Sequence, residues 1–171
     1  MRWLSLILVC CLLQINSIAQ IPPEFDSIPP YKRQAQLPEF SLLKTDGNWL
    51  VKQQLPEGRP VVFVYFSPDC QHCTTEAKDI AAARDSVQQI LFVWVSYHPI
   101  DRIRDFSQKA GLDKLPNQFF TRDPNYKIPS FFRVRFTPFV AVYNAKGLFV
   151  EAFEGGADVP TIIAAANRQN L

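Results

Sequence analysis

The feature that most constrains the fold of this 171-residue chain is a pair of cysteines between a strand pattern and a helix pattern. Val61 to Phe66 is a continuous run of strand formers, and a helical pattern covers Glu76 to Val87. Cys70 and Cys73 therefore fall at a strand-to-helix junction, where a three-residue spacing puts both sulfurs on one side of a helix, close enough to bridge. Because the start of a helix favours an anion, the pattern predicts a lowered pKa for Cys70, which is the physical basis of a redox dithiol.

The first nineteen residues predict a secretory signal. Arg2 is followed by an apolar run from Trp3 to Leu13, and the small-residue site Ser17-Ile18-Ala19 predicts cleavage after Ala19. The alternative is an uncleaved anchor or a core helix, but the apolar run is short for a membrane span. We therefore expect an exported protein, periplasmic in a cell with two membranes, and no stable membrane span after cleavage.

Removal of the signal would reduce the four cysteines of the sequence to Cys70 and Cys73. A disulfide between them would close a very small loop and add little stability, so a catalytic or a metal-binding role explains them better. The formal net charge is +2, from 18 basic and 16 acidic residues without a basic patch or charge block. This charge pattern argues against nucleic acid as a partner.

The remaining patterns predict an α/β fold. Residues 20–36 are rich in proline and predict an extension that is either packed on the domain or loose. A second buried strand, Ile90 to Ser96, would complete a right-handed βαβ unit with a parallel strand pair. The other predicted elements are an N-terminal hairpin around Asp46-Gly47, a helix from Ile100 to Ala110, a short strand from Gln118 to Thr121, a short helix within Asp123 to Phe132, a hairpin of Phe139 to Tyr143 with Leu148 to Phe153, and a helix from Asp158 to Arg168.

The chain from Leu37 to Leu171 resembles the thioredoxin superfamily and, within it, the TlpA-like exported thiol–disulfide oxidoreductases. Three motifs carry the resemblance: Cys70-Gln71-His72-Cys73, Phe136-Thr137-Pro138 directly before the penultimate strand, and Gly155-Gly156 after the final strand. The resemblance implies a thioredoxin-like domain at residues 37–171, with a central mixed β-sheet, helices on both faces and an extra N-terminal β-hairpin.

The resemblance also implies roles for individual residues. Cys70 would be the nucleophile and Cys73 the resolving thiol. Pro138 would follow a cis peptide bond and lie against the dithiol, keeping metal ions away, while the backbone of Thr137 would pair with a substrate. Glu76 would assist proton transfer to and from the thiols. Neither a cofactor nor a bound metal is expected.

His72 and Phe136 are expected to bind substrate or modulate the site, and Asp69 to influence its charge. A protonated His72 between the thiols would stabilise a thiolate, whereas the carboxylate of Asp69 would destabilise it. The sequence does not decide which of the two effects on the thiol pKa is larger. The alternative for His72 is a solvent-facing residue, and Glu76 has the alternative of a first-turn acid that complements the helix dipole. Phe136 belongs to a phenylalanine-rich stretch that is mainly core but could rim a substrate groove, and His98 is expected to be a loop residue.

The predicted function is an exported thiol–disulfide oxidoreductase that acts as a reductant on partner proteins. A membrane-linked redox partner would reduce its dithiol again. Copper binding or delivery is an alternative, because copper(I) prefers thiolates. A thiol peroxidase is another, although those enzymes resemble a Pro-x-x-x-Thr-x-x-Cys arrangement and Ser67 stands three residues before Cys70. A binding module with a vestigial dithiol is the fourth possibility.

Overall fold

The computed structural model of the protein describes residues 28–168. Seven strands form one mixed sheet in the order β2-β1-β5-β4-β3-β6-β7. The strands are β1 (Ser41–Lys44), β2 (Trp49–Val51), β3 (Val61–Tyr65), β4 (Leu91–Ser96), β5 (Gln118–Arg122), β6 (Phe139–Tyr143) and β7 (Phe149–Glu154).

Five α-helices and one short 3₁₀ turn accompany the sheet in the described part of the chain. They are α1 (Pro30–Arg33), the 3₁₀ turn Lys52–Gln54, α2 (Gln71–Ala82), α3 (Ile100–Ala110), α4 (Lys127–Phe132) and α5 (Val159–Ala166). Helix α3 has the predicted bounds, and Gly111 ends it in the left-handed region at φ 72°. Asp158 caps α5 by accepting a hydrogen bond from the backbone N–H of Thr161.

The predicted bounds of the helix after the dithiol, Glu76 to Val87, are wrong at both ends. Helix α2 starts earlier, at Gln71, and ends at Ala82. Beyond it the chain makes short-range turns, in which the N–H of Ser86 donates to the carbonyl of Ala83. Val87 is nevertheless fully buried, so its apolar character reflects a packed turn and not a further turn of helix.

Both faces of the sheet are covered, as predicted. Alternate residues of β3 point to opposite faces: Val62 and Val64 join a core with α2, α3 and α5. Val61 and Phe63 join a second core with α4 and the N-terminal hairpin. The predicted α/β class with a central mixed sheet and an extra N-terminal hairpin is therefore confirmed.

The strand directions place the dithiol at one edge of the sheet. Strands β3 and β4 are parallel, β4 and β5 are parallel, and β6 runs antiparallel to β3. The carboxyl ends of β3, β4 and β5 consequently meet the start of β6 at a single edge. The βαβ unit β3–α2–β4 brings the cysteines to this edge directly after β3.

The described part of the N-terminal extension packs on the domain. The ring of Tyr31 lies 5.5 Å from that of Phe132 and 5.2 Å from that of Phe149. Gln36 forms a β-bridge with Leu148. The predicted signal, residues 1–19, lies outside the described residues. Within residues 28–168, no helix is both long enough and apolar enough to cross a bilayer.

Candidate functional site

The dithiol forms the first turn of α2. Cys70 is the N-cap, and its sulfur accepts a hydrogen bond from the backbone N–H of Cys73 at 3.3 Å. A hydroxyl or carboxylate oxygen usually fills this capping role, and here a sulfur does. Cys70 is partly exposed and Cys73 is fully buried, and both are free thiols.

The two thiols have opposite pKa shifts. Burial alone would raise the pKa of Cys70, but hydrogen bonds from the side chain and backbone of Cys73 outweigh it, so the pKa lies below the ordinary thiol value. Burial raises the pKa of Cys73 to about 12, and its contact with Cys70 adds to the rise. The first cysteine is therefore the one that more readily forms a thiolate, while the second is protonated at neutral pH.

The loop before β6 lies against the dithiol. The thiol of Cys70 donates to the backbone carbonyl of Thr137 at a sulfur–oxygen distance of 3.5 Å. The Thr137–Pro138 peptide bond is cis, as the resemblance implies. Pro138 is buried and Thr137 half-buried, whereas Phe136 is 64% exposed. Phe136 thus presents an apolar ring to solvent directly beside the loop that contacts Cys70.

Glu76 is a buried carboxyl one helical turn after Cys73. Only 7% of the residue is exposed, its Oε1 accepts a hydrogen bond from the backbone N–H of Ala157 at 2.9 Å, and its Oε2 has no partner among the described residues. Burial raises the pKa of Glu76 to about 7, partly offset by the Ala157 hydrogen bond and reinforced by Asp79. A carboxyl with such a pKa exchanges protons readily near neutral pH.

Gly156 allows the backbone after β7 to approach this carboxyl. A Cβ atom at Gly156 would lie 3.0 Å from Oε1 of Glu76 and 3.0 Å from Cγ of Pro138. Its φ of +96° is also one that residues with side chains rarely adopt. The second glycine of the Gly155-Gly156 motif therefore has a local explanation, since only glycine lets the chain pass between Glu76 and Pro138.

His72, which was expected to modulate the site, is exposed on the first turn of α2. The structure thus gathers Cys70, Cys73, Glu76, Thr137 and Pro138 into one site, with Phe136 and His72 at its solvent side. Their chemical roles stay predictions.

Sequence reasoning missed two contacts at this edge. The guanidinium of Arg102, on α3, forms an ion pair with the carboxylate of Asp69. The Oγ of Ser67 lies 3.2 Å from Nε2 of His98 and accepts a hydrogen bond from the backbone N–H of Asp69 at 3.3 Å. His98 is therefore a contact of the turn that leads into the dithiol. No local sequence pattern predicts the Arg102–Asp69 or the His98–Ser67 contact, because each joins residues about thirty positions apart.

The metal alternative needs additional ligands near the thiols. Among residues 28–168, no group of three or more His, Cys, Asp or Glu side chains is placed to share a metal ion.

Comparison with family models gives one match, which covers residues 34–153 and is described as the AhpC/TSA family. The chain belongs to the AhpC/TSA family. No sequence among curated proteins matches this chain.

Solved structures share the fold of this AhpC/TSA family member. A secreted disulfide oxidoreductase of Mycobacterium tuberculosis, described as homologous to Escherichia coli DsbE, is 19% identical, with a TM-score of 0.62 over 74% of this chain and 95% of that chain. DsbF of M. tuberculosis is 22% identical, with a TM-score of 0.62 over 74% and 92%. The peroxidoxin BcpB of M. tuberculosis is 16% identical, with a TM-score of 0.66 over 78% and 96%.

These comparisons confirm the thioredoxin-like fold and the membership of the thioredoxin superfamily. The dithiol at the start of α2 thus lies in a thioredoxin-like domain of the AhpC/TSA family. Its assignment to the TlpA-like branch stays a prediction.

Proposed function

We propose that this protein is an exported protein-disulfide reductase, which transfers two electrons from Cys70 and Cys73 to a disulfide of a partner protein. The observation that carries the proposal is the difference in exposure and pKa between the two thiols. Cys70 is accessible with a lowered pKa, while Cys73 is buried with a raised pKa and its N–H lies 3.3 Å from the sulfur of Cys70.

The exchange has two steps. The Cys70 thiolate attacks one sulfur of the substrate disulfide, forming a mixed disulfide and releasing the other sulfur as a thiolate, which takes up a proton. Cys73 then loses its proton and attacks the sulfur of Cys70. This second step forms the Cys70–Cys73 disulfide and releases the second substrate thiol, so the substrate gains the two electrons and two protons that the dithiol loses.

Glu76 is the proposed proton acceptor for Cys73. It lies one turn further along α2, which puts both side chains on the same side of the helix. A pKa of about 7 suits a group that must take a proton in one half-reaction and return it in the other. In this proposal the carbonyl of Thr137, 3.5 Å from the sulfur of Cys70, accepts a hydrogen bond from a substrate backbone that lies along the loop.

Trapping the mixed disulfide tests the proposal. Cys73→Ser should attack a disulfide-bonded peptide and stop at a covalent adduct on Cys70, visible as a mass increase that dithiothreitol removes. Cys70→Ser should form no adduct, and the wild-type chain should release both peptide thiols. Binding of the peptide without turnover in the wild-type chain would instead indicate a vestigial dithiol.

The direction of transfer and the peroxidase alternative need separate assays. A reduction potential near that of thioredoxin, about −270 mV, supports a reductant, whereas one near that of DsbA, about −120 mV, contradicts it. Rapid oxidation of Cys70 by hydrogen peroxide, faster than by a peptide disulfide, would favour a thiol peroxidase. Export is tested by sequencing the N-terminus of the mature chain, which should begin at Gln20.

A further inference from the structure

A basic pocket lies beside the dithiol, between helices α2 and α3. It has a volume of about 280 Å³. Thr74 and Lys78 line it from α2, one turn apart, while Arg102 and Lys109 line it from α3. Phe106, only 6% exposed, forms an apolar part of the wall.

Two residues that line the pocket flank the dithiol in the sequence. Pro68, which lines it, stands two residues before Cys70, and Thr74 directly follows Cys73. The hydroxyl of Thr74 donates to the backbone carbonyl of Cys70 at 3.2 Å. A substrate sulfur held at Cys70 is therefore within a few residues of the pocket, since an extended chain advances about 3.3 Å per residue.

The charges in the pocket favour an anion. Its lining contains three cations, Lys78, Arg102 and Lys109, and one carboxylate, Asp105. Arg102 is already paired with Asp69. Lys78 and Lys109 are exposed and have neither an ion-pair nor a hydrogen-bond partner within residues 28–168, so both ammonium groups are available to a ligand.

We infer that this pocket binds an acidic side chain that lies close to the reactive cysteine of the partner protein. The inference rests on the proposed function and adds a substrate preference to it. A volume of about 280 Å³ is at the lower limit for small-molecule sites and suits one or two side chains. Asp or Glu within a few residues of the substrate cysteine would meet Lys78 and Lys109 while the disulfide reaches Cys70.

The test compares two disulfide-bonded peptides that differ only in charge. One carries Glu on both sides of its cysteine, and the other carries Gln at the same positions. The reduced wild-type protein should reduce the Glu peptide with a kcat/KM roughly twofold to thirtyfold higher, since two exposed ion pairs contribute modestly. The preference should shrink as salt rises from about 0.01 M to about 1 M, where charges are screened within about 3 Å.

Two charge-matched double variants locate the preference. Lys78→Gln with Lys109→Gln should bring the ratio of the two peptide rates close to one. Lys114→Gln with Lys146→Gln removes the same charge from exposed lysines outside the pocket and should keep the wild-type ratio. If the ratio of the two peptide rates falls equally in both double variants, the pocket is not the source of the preference. The preference would then come from the net charge of the protein.

Other outcomes separate the inference from the proposed function. Equal reduction of both peptides by the wild-type protein overturns the acidic preference and leaves the reductase proposal standing. If the protein reduces oxidised glutathione faster than either peptide and does not distinguish the peptides, the acidic-side-chain inference is overturned. The pocket would then bind a small anionic disulfide. Failure to reduce either peptide contradicts the proposed function itself and the inference with it.

Discussion

The carboxylate of Asp69, directly before Cys70, forms an ion pair with the guanidinium of Arg102 on the next helix. Sequence alone sets Asp69 against His72 in their effects on the thiolate. Because Arg102 compensates the charge of Asp69, the local field at Cys70 is less negative than the neighbouring residue suggests. Helix α3 thereby contributes to the electrostatics of a thiol on helix α2.

Replacing Arg102 with Gln should raise the pKa of Cys70, because the charge of Asp69 is then uncompensated. The shift should be a fraction of one pKa unit, since exposed ion pairs are weak, and the dithiol should become more reducing. Thiolate absorbance against pH measures it. Asp69→Asn together with Arg102→Gln should return the pKa towards the wild-type value, and an unchanged pKa in Arg102→Gln alone would contradict the compensation.

The two thiols should react with iodoacetamide at very different rates. Only the thiolate is alkylated, so Cys70, accessible and with a lowered pKa, should be labelled at neutral pH. Cys73, fully buried with a pKa of about 12, should remain unlabelled in the same time. Peptide mass spectrometry of the reduced chain identifies the labelled residue, and labelling of both cysteines at similar rates would contradict the assignment of their roles.

The raised pKa of Glu76 predicts that stability falls with rising pH. Its ordinary value is 4.5 and burial raises it to about 7. Between these values the folded protein retains a proton that the unfolded chain has lost, so the free energy of unfolding decreases as pH rises through this window and levels off above it. The decrease should be at most about 3 kcal/mol.

Glu76→Gln should remove this dependence, because glutamine does not titrate. Above pH 7 the variant should unfold at a higher urea concentration than the wild-type protein, with both kept reduced. Glu57→Gln, which removes an exposed carboxylate before β3, serves as the control and should retain the wild-type pH dependence. If the free energy of unfolding of Glu76→Gln depends on pH as steeply as that of the wild-type protein, this carboxyl is not the titrating group.

Gly155 and Gly156 form a matched pair for testing the close approach to Glu76. Both have positive φ, +88° and +96°, but a Cβ at Gly155 would meet open space, whereas one at Gly156 would lie 3.0 Å from Glu76 and Pro138. Gly155→Ala should cost only the backbone strain, about 1–3 kcal/mol of unfolding free energy. Gly156→Ala should cost more and also slow disulfide exchange, as measured by urea unfolding and peptide reduction.

Local sequence patterns were sufficient for most of the fold. Helix α3 matches its predicted bounds because apolar periodicity and the terminal Gly111 agree. Strands β3 and β4 are evident in the sequence because both are continuous apolar runs, interrupted only by Ser96 at the end of β4. The end of α2 was missed because Val87 continues the helical periodicity and yet packs from a turn.

The site was only partly predictable. Cys70, Cys73 and the Thr137–Pro138 loop are recognisable as short motifs. The contacts of Arg102 with Asp69 and of His98 with Ser67 depend on how α3 and the end of β4 lie beside the turn at residues 67–69. Such contacts arise from tertiary packing, and neither member carries a local pattern that identifies the other.

The strap formed by residues 35–37 has a consequence for the order of folding. The N–H of Leu37 donates to the carbonyl of Gly147 at 3.1 Å, and Gln36 bridges Leu148. Its partners, Gly147 and Leu148, lie in the turn between β6 and β7, more than a hundred residues along the chain. Contacts between residues so far apart in sequence slow folding. We expect residues 35–37 to pair last, which would fix the N-terminal segment to the β6–β7 hairpin.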